Sequence, residues 1–330
     1  MKIVVDAMGG DNAPEVPIRG SVLAAKELGC GVILVGCEKT IKGILDKCEG
    51  SKDKIEIVNA SQVIRMDEQA AISVRKKRDS SIVRAVEILK NKEADALVSA
   101  GNTGGVVCAT TLSLRLLPGV DRPGIAVIFP TLTKPCLVID VGANIDPKSL
   151  HLLQYGIMGD AYSRHILNKE RPTVALLNIG EESTKGTDFV KEAHIMLSES
   201  KLNFIGNIEP KEVYEGCADV VVCDGFIGNV FLKVTEGFAD AASELLKREL
   251  KASNWMTKFG ALLTLPTFKS IKKKVDATEY GGAPLMGVDG RVIIAHGSAN
   301  DIAIKNAIKV AAEYANHQVN AHIIEELESY

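Results

Sequence analysis

The feature that most constrains the fold is an alternation. Short, continuous apolar runs rich in β-branched residues are separated along the chain by longer amphipathic stretches. The runs read as strands at 2–6, 32–35, 55–58, 96–98, 125–129, 136–140, 174–177, 204–208, 220–223 and 292–295. Most lack the polar–apolar alternation of a half-exposed strand, so both faces should be covered. Helical patterns fall at 17–28, 81–90, 106–117, 150–167, 188–198, 228–250 and 300–325; Pro17 suits a first helical turn. This alternation predicts an α/β fold with a largely parallel sheet covered by helices. No internal repeat, low-complexity segment or Pro/Gly/Ser-rich linker divides the chain. One large α/β domain over 1–330 is therefore expected, with room for a cleft between two subdomains. The segment 254–275, NWMTKFGALLTLPTFKSIKKKV, breaks the pattern. It carries the only Trp, Trp255, with Phe259, Leu262, Leu263 and Phe268 among flanking lysines. Pro266 should end or kink a helix there.

Composition narrows the function. With 46% hydrophobic and 25% charged residues, the chain is ordinary for a globular protein, and disordered, collagenous or disulfide-scaffold classes are excluded. The 39 basic and 42 acidic side chains nearly balance, which argues against a chain built to grip nucleic acid. The seven cysteines form no CxxC pair, and several sit inside apolar runs, as expected of buried thiols in a reducing compartment. The N-terminus has no secretory pattern, and the longest uncharged stretch, 96–114, is interrupted by Gly-Asn-Thr-Gly-Gly, so no transmembrane segment is expected. A cytoplasmic protein follows from these features.

In open α/β sheets ligands bind beyond the carboxyl ends of strands. Those ends are dense in glycine and polar residues here. The first strand, ending in Asp6, runs into Gly9, Gly10, Asp11 and Asn12, where Asp11 or Asn12 could cap the next helix. The run 96–98 leads to Gly101, Asn102, Thr103 and Gly104 before a helix, the pattern of an anion site built on free N–H groups. The turn after 136–140 holds Asp140 and Asn144, and the one after 174–177 holds Asn178, Glu181 and Lys185. Asp224, Asn229 and Lys233 follow 220–223, and His296 follows 292–295. In a parallel sheet these ends would converge on one rim. No GxGxxG, Walker, HExxH, Cys/His metal or GxSxG pattern is present, so ordinary dinucleotide and Walker-type ATP binding lose support. Asp6, Asp140 and Asp224 offer a weaker case for a divalent metal. Ser298 stands two residues from His296, a spacing ordinarily without catalytic meaning. The residues thus point to an enzyme that handles phosphate or another small anion without a covalent nucleophile.

The motifs DAMGGDNAP (6–14), SAGNTGG (99–105), DVGAN (140–144), LNIGEESTKG (177–186), DGFIGNVFLK (224–233) and EYGGAPLMG (279–287) occur in order over nearly the whole chain. Together they resemble the bacterial phosphate acyltransferase family (PlsX), acyl-ACP:phosphate acyltransferases; Gly105 and Ile227 depart from its pattern. The resemblance implies a three-layer α/β/α fold like isocitrate and isopropylmalate dehydrogenases, related to phosphotransacetylases, a homodimer, and no metal or nucleotide cofactor. It also implies conversion of long-chain acyl-ACP and inorganic phosphate to acyl phosphate and free acyl carrier protein. The product would feed a membrane glycerol-3-phosphate acyltransferase at the opening of phosphatidic acid synthesis. On chemical grounds, Gly101–Gly104 with Lys185 should cradle phosphate, and Asn229, Lys233 or His296 should face the developing oxyanion. The 254–275 segment is expected to be either an interfacial amphipathic helix or a buried dimer contact, the resemblance favouring peripheral membrane association. Rivals are a phosphotransacetylase using a short acyl-CoA, an NAD- and metal-dependent dehydrogenase of the same fold, and a non-enzymatic carrier-protein sensor.

Overall fold

A computed structural model of the chain describes residues 1–50, 52–275 and 281–329, without side chains from 268 to 275. In chain order the elements are β1 (Lys2–Asp6), α1 (Glu15–Glu27), β2 (Gly31–Gly36), α2 (Glu38–Leu45), β3 (Ile55–Asn59), α3 (Ala70–Lys76), α4 (Ser81–Lys90), β4 (Ala96–Ser99), α5 (Thr103–Leu114), β5 (Gly124–Phe129), β6 (Cys136–Ile139) and α6 (Ser149–His165). There follow β7 (Thr173–Leu177), α7 (Asp188–Glu199), β8 (Asn203–Ile208), α8 (Pro210–Glu215), β9 (Val220–Val222), α9 (Gly225–Ala252), α10 (Trp255–Val275), β10 (Ala283–Met286), β11 (Val292–Ile294), α11 (Asp301–Asn316) and α12 (Val319–Glu328).

The strands form a single eleven-stranded sheet in the order β3-β2-β1-β4-β11-β10-β5-β6-β9-β7-β8. Each predicted strand is present, and its continuous apolar run is explained by burial on both faces. In β1, Val4 packs on one side while Ile3 and Val5 pack on the other. One helical layer, α3, α4, α5, α8 and the first turns of α9, covers one face of the sheet. On the opposite face α1, α2 and α11 cover the first half, and α6, α7 and α12 cover the second. The result is the three-layer α/β arrangement.

Pairing is parallel except at β11–β10, β10–β5 and β5–β6. Three successive reversals mean that β6, β9, β7 and β8 run opposite to β1–β4 and β11. This corrects the single-rim expectation: the carboxyl ends leave the sheet at two edges, one set per half. What links them is α9. It starts at the carboxyl end of β9 and crosses the sheet face, where Phe231 stacks on Phe129 at the end of β5 with ring centroids 5.1 Å apart. Tyr214, which precedes β9, also meets Phe231, at 5.5 Å.

Three further corrections have local causes. The sequence shows no β-branched run at β10, a short strand containing Pro284. The predicted helix 300–325 is two helices, broken where Gln318 adopts φ 48°. Pro266 does not end α10; the helix is exposed on every described face near it, so water can take the carbonyl that proline leaves unbonded. Together α9 and α10 form a two-helix arm with little burial beyond its base.

At the contact of α12 with α6, burial and the adjacent Asp160 carboxylate push Glu326 up to about 7. Arg164 Nε holds Asp160 at 2.8 Å, and its Nη1 reaches Glu326 only at 3.6 Å. His165 and His322 stack beside them, with centroids 3.6 Å apart. A carboxyl raised above its unfolded value favours the fold while protonated, so its contribution is complete below about pH 4.5 and is lost as pH rises to about 7. Glu326→Gln should therefore be more stable than wild type above pH 7 by about 1–2 kcal/mol, allowing for partial exposure. The difference should vanish at low pH in paired thermal unfolding curves; a pH-independent difference would remove the titration as its cause.

Candidate active site

Three glycine-bearing turns meet at the carboxyl ends of the neighbouring strands β1, β4 and β11. Ala295 N–H donates to Ser99 O at 2.9 Å and Asp11 N–H to Gly297 O at 2.8 Å, tying the turns together. The backbones approach too closely for side chains: a Cβ on Gly9 would lie 2.5 Å from Asp6 Oδ2 and 2.6 Å from Gly101 N. Beneath them Asp6, fully buried, accepts from Ser99 Oγ at 2.9 Å and Met8 N–H at 3.1 Å. Burial raises its pKa, against the opposing pull of the Ser81 and Ser99 hydrogen bonds. Asp11 and Asn12 are exposed and do not cap α1, whose cap position is Pro14 without a side-chain bond.

Asn102 caps α5 by accepting from Gly105 N–H at 2.8 Å. Its Nδ2 donates to the carbonyls of Arg65, Met66 and Glu68 at 3.1–3.2 Å, so its amide braces the turn and is not a spare anion donor. The sequence reading missed this 65–68 segment. It is held by Glu68, whose carboxylate Lys77 and Ser73 keep at about 2. Thr103 and Gly104 are exposed at the first turn of α5, where helix geometry leaves their N–H groups without intrahelical partners. With the positive helix end behind them, these are the donors an anion would meet.

The second half is organised by buried acids that bind backbone. Asp140 accepts from the N–H groups of Ile125, Gly142, Ala143 and Asn144 at 2.7–3.0 Å. Asn144 donates to Pro123 O and Tyr155 Oη. Asp224 caps α9 through the N–H groups of Phe226 and Ile227. Saturated by N–H and O–H donors, Asp6, Asp140 and Asp224 are structural acceptors and do not form the metal site considered from sequence. Among the described residues no group of three His, Cys, Asp or Glu side chains could hold a metal. Asn229 lies against Gly142, whose added Cβ would be 3.7 Å from its carboxamide carbon.

The 178–186 turn belongs to the other set of strand ends. Asn178 braces it, accepting from Ile179 N–H and donating to Lys185 O. Glu181 and Lys185 are exposed. No hydrogen bond or ion pair among the described residues joins this turn to Gly101.

The structure assembles a cluster at α9. α9 carries Lys233 to His296, with Nζ 3.3 Å from Nε2. Glu236 accepts from Lys233 at 2.7 Å and lies 3.9 Å from His296 Nε2. His296 Nδ1 lies 2.7 Å from Ser298 Oγ, so a spacing set aside in the sequence is a real contact. Cations and donors from both halves thus gather beside the glycine turns. Trp255, Phe259, Leu262 and Leu263 are exposed on the arm; the side chain of Phe268, and Glu279 and Tyr280 of the last motif, lie outside the described residues.

The fold is shared with solved α/β structures. A phosphotransacetylase from Streptococcus pyogenes superposes with a TM-score of 0.66 at 18% identity, over 96% of this chain and 94% of its own. EutD phosphotransacetylase from Staphylococcus aureus gives 0.59 at 18% identity, over 96% and 94%. A family model described as "Fatty acid synthesis protein" matches residues 1–322. Phosphate acyltransferase of Geotalea daltonii is 48% identical over 328 residues, 99% of this chain and 94% of that protein. That of Dictyoglomus turgidum is 49% identical over 329 residues, 99% and 98% respectively. The chain belongs to the phosphate acyltransferase family and is a transferase that moves an acyl group with phosphate as a reactant.

Proposed function

We propose that the protein transfers a long-chain acyl group from acyl carrier protein to inorganic phosphate, an early step toward phosphatidic acid. The observation that carries this reading is the Lys233–His296 pair, set beside a glycine-lined helix start. Phosphate binds at the N–H groups of Thr103 and Gly104, and one of its oxygens attacks the thioester carbonyl. The carbonyl oxygen becomes an oxyanion facing Lys233 Nζ and His296 Nε2. Collapse breaks the C–S bond, and the carrier's thiol, with a pKa near 8.5, leaves as thiolate without an obligatory acid. Acyl phosphate and free carrier protein result. Positioning two reactants and stabilising one oxygen suffice, so no enzyme nucleophile is required.

Phosphate-dependent thiol release from palmitoyl-ACP, with hydroxylamine trapping of the acyl phosphate and acetyl-CoA in parallel, tests this. Brisk turnover of acetyl-CoA alone would assign a short-chain phosphotransacetylase. Lys185, exposed and without an ion-pair partner among the described residues, is proposed as a further phosphate ligand. Lys185→Ala should raise the KM for phosphate about tenfold or more, as for loss of one charge-assisted bond; an unchanged KM removes it from the site.

The arm supports membrane association and dimerisation as parts of the same proposal. On α9, Ile227, Val230, Val234 and Phe238 are exposed at spacings of three and four, one apolar face suited to a second copy. At its tip Trp255 is 75% exposed and Phe259 58%, beside Lys258. No described helix is long and apolar enough to cross a membrane, which leaves lying in the interface as the available mode. Trp255 emission should shift to the blue with anionic vesicles, and less at high salt; no shift and no co-sedimentation would leave the tip to protein contacts.

A further inference from the structure

Ser298 makes two contacts with one ring atom of His296. Its backbone N–H donates to His296 Nδ1 at 3.2 Å, and its hydroxyl lies 2.7 Å from the same nitrogen. A backbone N–H can only donate, so this contact calls for the lone pair of Nδ1, and the competing donor at Nε2, the Lys233 ammonium, already has Glu236 as its acceptor. A neutral imidazole has one lone pair and one N–H, and the proton is then on Nε2. That nitrogen faces α9, 3.3 Å from Lys233 Nζ and 3.9 Å from Glu236 Oε2. An ammonium and an Nε2–H are both donors and cannot satisfy each other. The nearby acceptor is Glu236 Oε2, which Lys233 already holds at 2.7 Å. Lys233 bonds that oxygen while Nε2–H, 3.9 Å away, does not, which leaves beside the ammonium a donor that a substrate oxyanion would satisfy.

We propose that Ser298 is a positioning residue that fixes His296 as the Nε2–H tautomer, making the ring a hydrogen-bond donor to the oxyanion beside Lys233 rather than a general base. The proposal rests on the acyl-transfer reading for its chemistry, but the tautomer can be measured without turnover. While substrate is absent Glu236 accepts from Lys233, and His296 Nε2, 3.9 Å from the same oxygen, is beyond hydrogen-bond reach.

The test uses the full chain. The ring nitrogens of 15N-histidine protein are recorded at about pH 8, where an ordinary imidazole is neutral, with His296 assigned by its loss in His296→Gln. An unprotonated, pyridine-like Nδ1 and a protonated, pyrrole-like Nε2 are expected; a protonated Nδ1 overturns the proposal. Kinetics separate donor from base. His296→Ala should lose about 10²-fold in kcat, whereas His296→Gln, which keeps an N–H but no base, should stay within about tenfold of wild type. Equal losses in the two variants would make His296 a base and overturn the proposal. Ser298→Ala should lower kcat about tenfold with KM for phosphate unchanged, and Ser298→Thr, which keeps the hydroxyl, should restore it. Wild-type kcat in Ser298→Ala removes the positioning role of the hydroxyl, and complete loss in that variant together with an acyl-serine trapped on the wild-type protein would make Ser298 a nucleophile. Should wild type fail to turn over palmitoyl-ACP, the functional reading falls while the ring spectrum still decides the tautomer.

Discussion

Replacing Lys233 by alanine should lower kcat for phosphate-dependent acyl transfer by about 10²–10³-fold, the usual loss when a donor to a developing oxyanion is removed. The stability of the variant should scarcely change. The ion pair of Lys233 with Glu236 leaves the two side chains 55% and 30% exposed, and pairs of that kind contribute at most about 1 kcal/mol. A large kinetic loss with an unmoved Tm is the signature of a group acting on the transition state. Lys233→Arg should recover only part of the rate, because a guanidinium is wider and its charge is spread over a plane. The KM for phosphate should move less than kcat, since phosphate is held chiefly at the first turn of α5. A rate within about threefold of wild type in Lys233→Ala would remove the cluster on α9 from the chemistry and return attention to the 178–186 turn.

What was legible in the sequence follows from burial. Strands covered on both faces must be largely apolar, so β1 and β9 announce themselves as Val/Ile runs and β4 as a short apolar one. β10 does not, since Pro284 and the small Ala283 give it neither branching nor periodicity. Strand direction left no trace either. Periodicity reports which residues are covered, not which way the chain runs, so the reversals through β10 and β5 and the resulting two sets of strand ends were invisible. The glycine turns were legible because a Cβ cannot fit where two backbones approach. The duties of the polar residues within them were not. Asn102, Asp140 and Asp224 stood out as candidate ligands, and each is occupied with backbone groups. A short polar side chain that braces a turn and one that binds a ligand look alike in a sequence, for both must sit beside glycine. Contacts between distant segments, such as Lys233 with His296 across 63 positions, depend on where a long helix crosses the sheet.

That crossing depends on Gly228, and the same substitution at two glycines of α9 should have opposite effects. Glycine inside a helix normally costs about 0.5–1 kcal/mol relative to alanine. Gly237 has nothing within 4 Å of where a Cβ would stand, so Gly237→Ala should stabilise the protein by about that amount. At Gly228 a Cβ would lie 1.9 Å from Asp140 O and 2.8 Å from Cys223 Sγ. Neither neighbour has room to yield: the carbonyl belongs to the turn that the Asp140 carboxylate holds through four N–H groups, and Cys223 is buried. The first turn of α9 would have to back away from the sheet, and overpacking of this kind costs about 3 kcal/mol. The displacement would be carried along a stiff helix to Lys233, one and a half turns further on, so activity should fall together with Tm in Gly228→Ala. In Lys233→Ala, by contrast, activity falls alone. Thermal unfolding of the two glycine variants against wild type decides the matter: a Gly228→Ala protein as stable as Gly237→Ala would mean that α9 does not seat against the 140–144 turn as described, and the route by which Lys233 reaches His296 would have to be found elsewhere.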